Sequence, residues 1–214
     1  MTVLITGASR GIGAGLAAHY VALGHDVIGT GRGEAAQVQL DVTDPASHRQ
    51  MAQDLAGRPI DLLVCNAGVY LDKGDALETG YAADLWAQSF ATNVTGVFLT
   101  IQALLPHLRR APASKIAIIS STMASHSRAP GGSYIYRSSK AAVLNLGRNL
   151  AADWAGLDIA VGIYHPGWVQ TDMGGAEADI DAATSAAGLI TRFDALSLDH
   201  TGVFENYDGA VIPF

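Results

Sequence analysis

Cysteine is almost missing from this sequence: Cys65 is the only one in 214 residues. A single thiol rules out any disulfide within the chain and gives no sign of an oxidising compartment. It reads as a small buried strand residue. Positive charge is scarce as well, with 13 lysines and arginines against 20 aspartates and glutamates, a net charge of −7. That balance argues against a nucleic acid or an anionic membrane as partner, since either calls for a basic face. Long unbroken apolar runs are lacking. The most apolar stretch, Val94 to Leu108, is interrupted by Thr95, Gly96, Thr100, Gln102, Pro106 and His107, which makes it too short and too polar to span a bilayer. The first strand is expected at Thr2, leaving no room for a signal peptide, so a cytoplasmic location is expected. The histidines show no ligand spacing, and no metal site is expected. No repeat, low-complexity tract or linker divides the chain.

Hydrophobic residues make up 49% of the sequence, and its 24 glycines suit tight turns and close backbone packing. A chain of this length can bury one full core. Strand and helix signals alternate from end to end, which predicts a parallel sheet covered on both faces. Strands are expected at 2–6, 26–30, 38–40, 60–65, 115–120, 158–164 and near 202–205. Helices are expected at 11–24, from the Asp44-Pro45 cap to about 56, at 81–91, 93–110, 134–155 and near 177–190. Too few residues separate the second and third strands for a crossover helix, so that connection is shortened. The fold class is α/β: one doubly wound domain over residues 1–214.

Two places carry chemistry. "TGASRGIG" (6–13) joins the first strand to the first helix, where glycines permit a tight turn and the helix N-terminus offers free N–H groups to a dinucleotide pyrophosphate. Its glycines are spaced G-x-x-x-G-x-G, not G-x-G-x-x-G. Gly7, Ser9, Arg10, Gly11, Ile12 and Gly13 are the expected contacts, and the domain is Rossmann-type. Further on, "YIYRSSK" (134–140) sets Tyr136 four residues before Lys140, on one helical face, with Cβ atoms roughly 6 Å apart. Tyr134 points elsewhere. A tyrosine beside an ammonium can move a proton. Free tyrosine titrates near ~10, and bringing it to ~7 takes about 4 kcal/mol of differential stabilisation, which a nearby cation can help supply.

Together with "CNAG" (65–68), "NVTG" (93–96), "IISS" (118–121), "YRSSK" (136–140) and "HPGWVQTDMGG" (165–175), the glycine loop resembles the short-chain dehydrogenase/reductase family across essentially the whole chain. The tail "GVFENYDGAVIPF" and the last two blocks are most similar to its C-factor and sniffer-type carbonyl reductases. The resemblance implies a catalytic set of Asn93, Ser121, Tyr136 and Lys140. Tyr136 would be the general acid for ketone reduction and the base for alcohol oxidation, and Lys140 would hold the nicotinamide ribose. Ser121 is the family's position, but the interval from it to Tyr136 is longer than is commonest there, so Ser120 stays open. The resemblance further implies that Asp41 and Val42 meet the adenine and that Asn66, Ala67 and Gly68 floor the adenosine ribose. Pro166, Gly167, Val169 and Thr171 would hold the carboxamide.

Arg32 at the end of the second strand, with Arg10 nearby, favours NADP over NAD, because a 2′-phosphate wants arginine where a 2′-hydroxyl wants a carboxylate. Glu34 is the counter-signal. Residues 172–200 are expected to form a lid, with Met123, Trp168 and Met173 lining a pocket for a small-molecule carbonyl or alcohol. His165 is read as structural. Rival readings are an extended-type epimerase or dehydratase and a non-catalytic NADP-binding sensor or signalling protein. For the long apolar helices 93–110 and 134–155, the resemblance implies pairing with their copies across a two-fold axis, in a homodimer or homotetramer. Ala141, Ala142, Leu144, Leu146, Leu150 and Ala151 exceed what one sheet-facing stripe needs.

Overall fold

The computed structural model describes residues 1–34 and 36–214. Seven parallel strands form one sheet: β1 (Thr2–Thr6), β2 (Asp26–Gly31), β3 (Val38–Gln39), β4 (Leu62–Cys65), β5 (Ser114–Ile119), β6 (Ile159–His165) and β7 (Phe204–Asn206). Their order across the sheet is β3-β2-β1-β4-β5-β6-β7. The order reverses between β1 and β4, and in such sheets ligands bind there, outside the carboxyl ends of the strands. The register of the seven strands is anchored by pairs such as Leu4↔Ile28, Leu4↔Leu63 and Ile118↔Ile163. Residues 32–37 join β2 to β3, too few for a helix; Ala35 among them lies outside the described residues.

Side chains alternate across the strands, and both faces are apolar, as a doubly covered sheet requires. On one face Leu4, Leu63, Ile116 and Val161 pack with Ile101, Leu104 and Val143. Those last three come from α4 (Gly96–Leu108) and α5 (Tyr134–Trp154), which cover this face with α2 (Pro45–Asp54). On the other, Val3, Ile5 and Val64 pack with Leu16, Tyr20, Leu189 and Phe193. These belong to α1 (Gly11–Ala22) and α6 (Ala182–Ala195).

Three expectations are corrected. The helices predicted at 81–91 and 93–110 are one continuous stretch, α3 (Ala83–Phe90) running through a π-helical turn (Ala91–Thr95) into α4. This 26-residue stretch contains an 18-residue window of mean hydropathy 1.2, the length and composition of a membrane span, which the shorter 94–108 segment lacked. Its Val97, Ile101, Leu104 and Leu108 belong to the sheet core. The last helix starts later than predicted, because Asp181 caps it by accepting from Thr184 N at 2.7 Å. The expected lid 172–200 therefore divides. Residues 182–195 are a core-covering helix, with Ser185, Ala186, Leu189, Ile190 and Phe193 buried, and only the stretch before it borders the cleft.

Candidate functional site

A cleft of about 460 Å³ opens at the carboxyl edge of the sheet. Its wall includes Gly7, Ser9, Arg10, Gly11, Ile12, Arg32, Asp41, Val42, Asn66, Ala67, Gly68, Tyr136, Lys140, Pro166 and Thr171. Fifteen residues chosen from the sequence are thus gathered by the fold from six separate segments. The glycine loop turns through left-handed residues, Gly7 at φ +67° and Gly11 at φ +55°. Arg10, extended at the N-cap of α1, gives no side-chain cap. The first-turn N–H groups of α1 are therefore open to an anion, and a dinucleotide pyrophosphate fits this donor set.

Side chains behind the wall hold it in shape. Asn66 Nδ2 donates to the carbonyls of Thr6 (2.9 Å) and Gly7 (3.1 Å), and Thr6 Oγ1 accepts from the amides of Asn66 and Ala67. Asp41 Oδ1 accepts from the amide and hydroxyl of Thr43. Those bonds, helped by the Arg32 charge, keep the Asp41 carboxyl below the usual range. Glu34, the counter-signal for NAD, is not on the wall, whereas Arg10 and Arg32 are.

Three residues expected to touch the cofactor do not line the cleft. Gly13 is a packing glycine, since a Cβ there would press into the Gly7 carbonyl. At Gly167, φ +86°, a Cβ would meet Ile180 Cδ1 at 2.7 Å. Val169 is buried and bridges to Ile180. Met173 lines the cleft. Trp168 lines a neighbouring cavity of about 360 Å³ with Thr122, Arg128, His165 and Asn206, and Met123 lines neither. Burial, with the charges of Lys140 and Arg128, pulls His165 down to about 4 and leaves it neutral.

The two tyrosines are sorted by burial. Tyr136 is 8% exposed and on the cleft wall; Tyr134 is 38% exposed and packs edge-on against Tyr81. The serines are sorted by hydrogen bonds. Ser120 lines the cleft, but its Oγ donates to the Lys140 carbonyl at 3.0 Å. Ser121 lies off the wall, where its Oγ accepts from Met123 N at 3.1 Å and its hydroxyl draws the Tyr136 phenol down. Asn93 sits in the π-helical turn, which such turns favour at functional positions. It lies behind the wall, where Oδ1 accepts from Val69 N (2.8 Å) and Nδ2 donates to Val69 O and Ser139 Oγ. Lys140 Nζ lies 5.6 Å from the Tyr136 ring centroid and donates to the Ile119 carbonyl at 3.0 Å.

The phenol does not behave as a tyrosine beside an ammonium was expected to. Burial pushes Tyr136 up, the Ser121 bond pulls it down, and the charges of Tyr70 and Asp72 push it up again. Lys140, with Nζ 5.6 Å from the ring centroid, does not offset the effect of burial. Burial also pulls Lys140 down to about 8 from 10.5. Below about 8 the folded protein therefore carries a buried ammonium, at a cost on the order of 3 kcal/mol. The unfolded lysine keeps its proton up to 10.5, so this cost shrinks as pH rises from about 8 to that value. Lys140→Met should melt higher than the wild type at pH 7, with the gap narrowing across that window. A gap independent of pH in thermal melts would rule out the buried charge as its source.

Sequence reasoning missed Tyr70, Asp72 and Lys73, which follow the "NAG" segment, and Asp172. Asp172 Oδ2 accepts from Arg10 at 2.6 Å across the cleft mouth. Tyr70, Asp72 and Lys73 stand at no periodic or motif position; Asp172 lies inside the "HPGWVQTDMGG" block, but nothing in that block marks it as a partner for Arg10.

The site and fold match a known family. Residues 1–181 match the model described as short chain dehydrogenase, and the chain belongs to the short-chain dehydrogenases/reductases. It is a carbonyl reductase-like oxidoreductase. Among its relatives is the C-signal protein of Myxococcus xanthus, 36% identical over 170 residues that make up 78% of this chain and 99% of that protein. Among solved structures, the NADPH-bound carbonyl reductase from chicken fatty liver superposes with a TM-score of 0.91 at 31% identity, covering 100% of this chain and 98% of that one. Carbonyl reductase Sniffer of D. melanogaster also gives 0.91, at 26% identity, covering 100% and 99%.

Proposed function

We propose that this chain is a cytoplasmic, NADP-dependent enzyme that interconverts a small-molecule carbonyl compound and its alcohol, with Tyr136 moving the proton. The carrying observation is that Tyr136 and Lys140 share the wall of one cleft with Arg10 and Arg32, with Ser121 just behind that wall beside the phenol. A nicotinamide bound in that cleft supplies or accepts the hydride. Ser121 donates a hydrogen bond to the substrate oxygen, and Tyr136 gives its proton to that oxygen during reduction or takes it back during oxidation. Burial keeps the phenol protonated, the form that reduction requires. Lys140 holds the ribose hydroxyls, and Asn93 pins the backbone of Val69 against the helix that carries both residues. Pro166 and Thr171 face the carboxamide. The 172–181 stretch and the cavity around His165 and Trp168 receive the rest of the substrate. The supporting similarity is to the NADPH-bound chicken reductase.

NADPH titration by fluorescence, followed by NADPH consumption over a panel of aldehydes and ketones, tests this reading. Consumption with at least one carbonyl supports it, and tight NADPH binding with no turnover on any would favour the signalling alternative that the name of the M. xanthus relative suggests.

We further propose a homodimer or homotetramer assembled through α4 and α5. Of the residues expected in excess on α5, Leu144, Leu150 and Ala151 are buried within the chain, which narrows the expected contact. Ala141, Ala142 and Leu146 stay partly exposed, and Phe98 on the adjacent α4 is 39% exposed. A two-fold contact would cover these together. Light scattering at micromolar concentration should show a multiple of the chain mass; a single species near 22.2 kDa would exclude the contact.

A further inference from the structure

Helix α5 begins without a cap of its own. Ser133, at its N-cap position, is left-handed at φ +48° and gives no side-chain bond to the helix. Its hydroxyl meets that of Tyr70. A helix start leaves its first N–H groups without partners, and burying such groups is costly. Here Ile135 is completely buried and Tyr136 is 8% exposed.

Asp72 supplies what the helix lacks. From the loop after β4, its carboxylate accepts from Ile135 N at 2.9 Å and from Tyr136 N at 3.2 Å, and the residue is 0% exposed. Two residues earlier, Tyr70 stacks on the Tyr136 ring, with centroids 4.2 Å apart and planes 19° apart. One residue later, Lys73 Nζ donates to the carbonyls of Met173 (3.0 Å) and Gly174 (3.4 Å) on the opposite rim. The same loop begins as the Asn66–Gly68 floor of the cleft.

We propose that Asp72 is a positioning residue for the reaction: a cap brought from the β4–α3 loop that fixes where Tyr136 stands in the cleft. This rests on the reading of Tyr136 as the proton carrier. A backbone amide of the catalytic residue itself is held by this carboxylate, so loss of the cap moves the phenol rather than merely loosening a distant helix end. The fixed negative charge also disfavours the phenolate. The groups facing Tyr136 are Lys140 on its own helix, Ser121 beyond β5, Tyr70 and Asp72 on the loop, and the neutral His165 of β6 beside Lys140. Asp72 is the carboxylate among them, and its charge adds to the effect of burial on the phenol.

Two variants separate position from charge. Asp72→Ala removes both, whereas Asp72→Asn keeps the shape and an accepting oxygen without the charge. The readouts are amide hydrogen exchange at Ile135 and Tyr136, the KM for NADPH, and kcat against pH. In Asp72→Ala we expect exchange at those two amides to quicken about tenfold or more and kcat to fall by about the same factor, the scale of a lost charge-assisted bond. The KM for NADPH should stay within about threefold. Asp72→Asn should recover most of kcat, but its pH profile should move toward acid by on the order of half a unit, because the phenolate becomes easier to form. Unchanged exchange and kcat in Asp72→Ala would overturn the positioning role. A wild-type pH profile in Asp72→Asn would overturn the electrostatic one, and this variant decides alone if the alanine protein does not fold. Failure of the underlying reading shows separately, as full turnover by Tyr136→Phe, while amide exchange still reports on the cap.

Discussion

Tyr136→Phe is expected to lower kcat about a hundredfold or more while NADPH affinity stays within a few-fold, the scale of losing a general acid. The substitution deletes one oxygen and leaves the ring, so the stack on Tyr70 at 4.2 Å survives. The amide held by Asp72 is untouched, and Lys140 keeps its bond to the Ile119 carbonyl. Only the proton and the partner of Ser121 are lost. Tyr134→Phe is the matched control. Tyr134 is 38% exposed, lies off the cleft wall and packs against Tyr81, so its variant should turn over at nearly the wild-type rate. Steady-state kinetics of the pair decide the assignment. A crippled Tyr134→Phe beside a nearly silent Tyr136→Phe would reverse it.

The same pair shows what a sequence can disclose. Helical spacing placed Tyr136 and Lys140 on one face because a regular helix has a fixed period, and α5 is regular from Tyr134 to Trp154. The alternating strands were legible for the same reason. Irregular backbone was not: the π-helical turn around Asn93 fused two expected helices into one, and the 172–181 stretch was read into a helix that begins only at Ala182. Gly13 and Gly167 lie off the cleft wall, and each leaves room for a close approach that spacing does not show: the Gly7 carbonyl at one, Ile180 at the other. Asp72 was invisible altogether. Its meaning depends on meeting residues 135 and 136 across more than sixty positions, and no local pattern encodes that meeting. Burial likewise reversed the direction foreseen for the Tyr136 phenol, since a sequence shows which charges exist but not how much water surrounds them.

Arg32→Ala is expected to weaken NADPH binding roughly ten- to a hundredfold while leaving NADH nearly unaffected. A charge-assisted contact to the 2′-phosphate contributes ~1.5–3 kcal/mol, and NADH has no group there to lose. Arg32 and Arg10 both line the cleft, but they stand differently. Arg10 is paired with Asp172 at 2.6 Å, and both side chains are about three-quarters exposed, 74% and 78%. Such a pair contributes ~1 kcal/mol or less, so a phosphate dianion can displace it. Arg32 makes no close ion pair among the described residues; it has only the longer-range attraction of Asp41 to give up. Arg32→Ala should therefore cost more NADPH affinity than Arg10→Ala. Asp172→Asn should strengthen NADPH binding, by no more than about fivefold, through the release of Arg10. Fluorescence titration of each variant with both cofactors measures the ratios directly. An unchanged NADPH/NADH ratio in Arg32→Ala would remove that arginine from the phosphate site. Tighter binding of NADH than NADPH by the wild type would overturn the cofactor assignment and return attention to Glu34, the carboxylate that the fold leaves off the cleft wall.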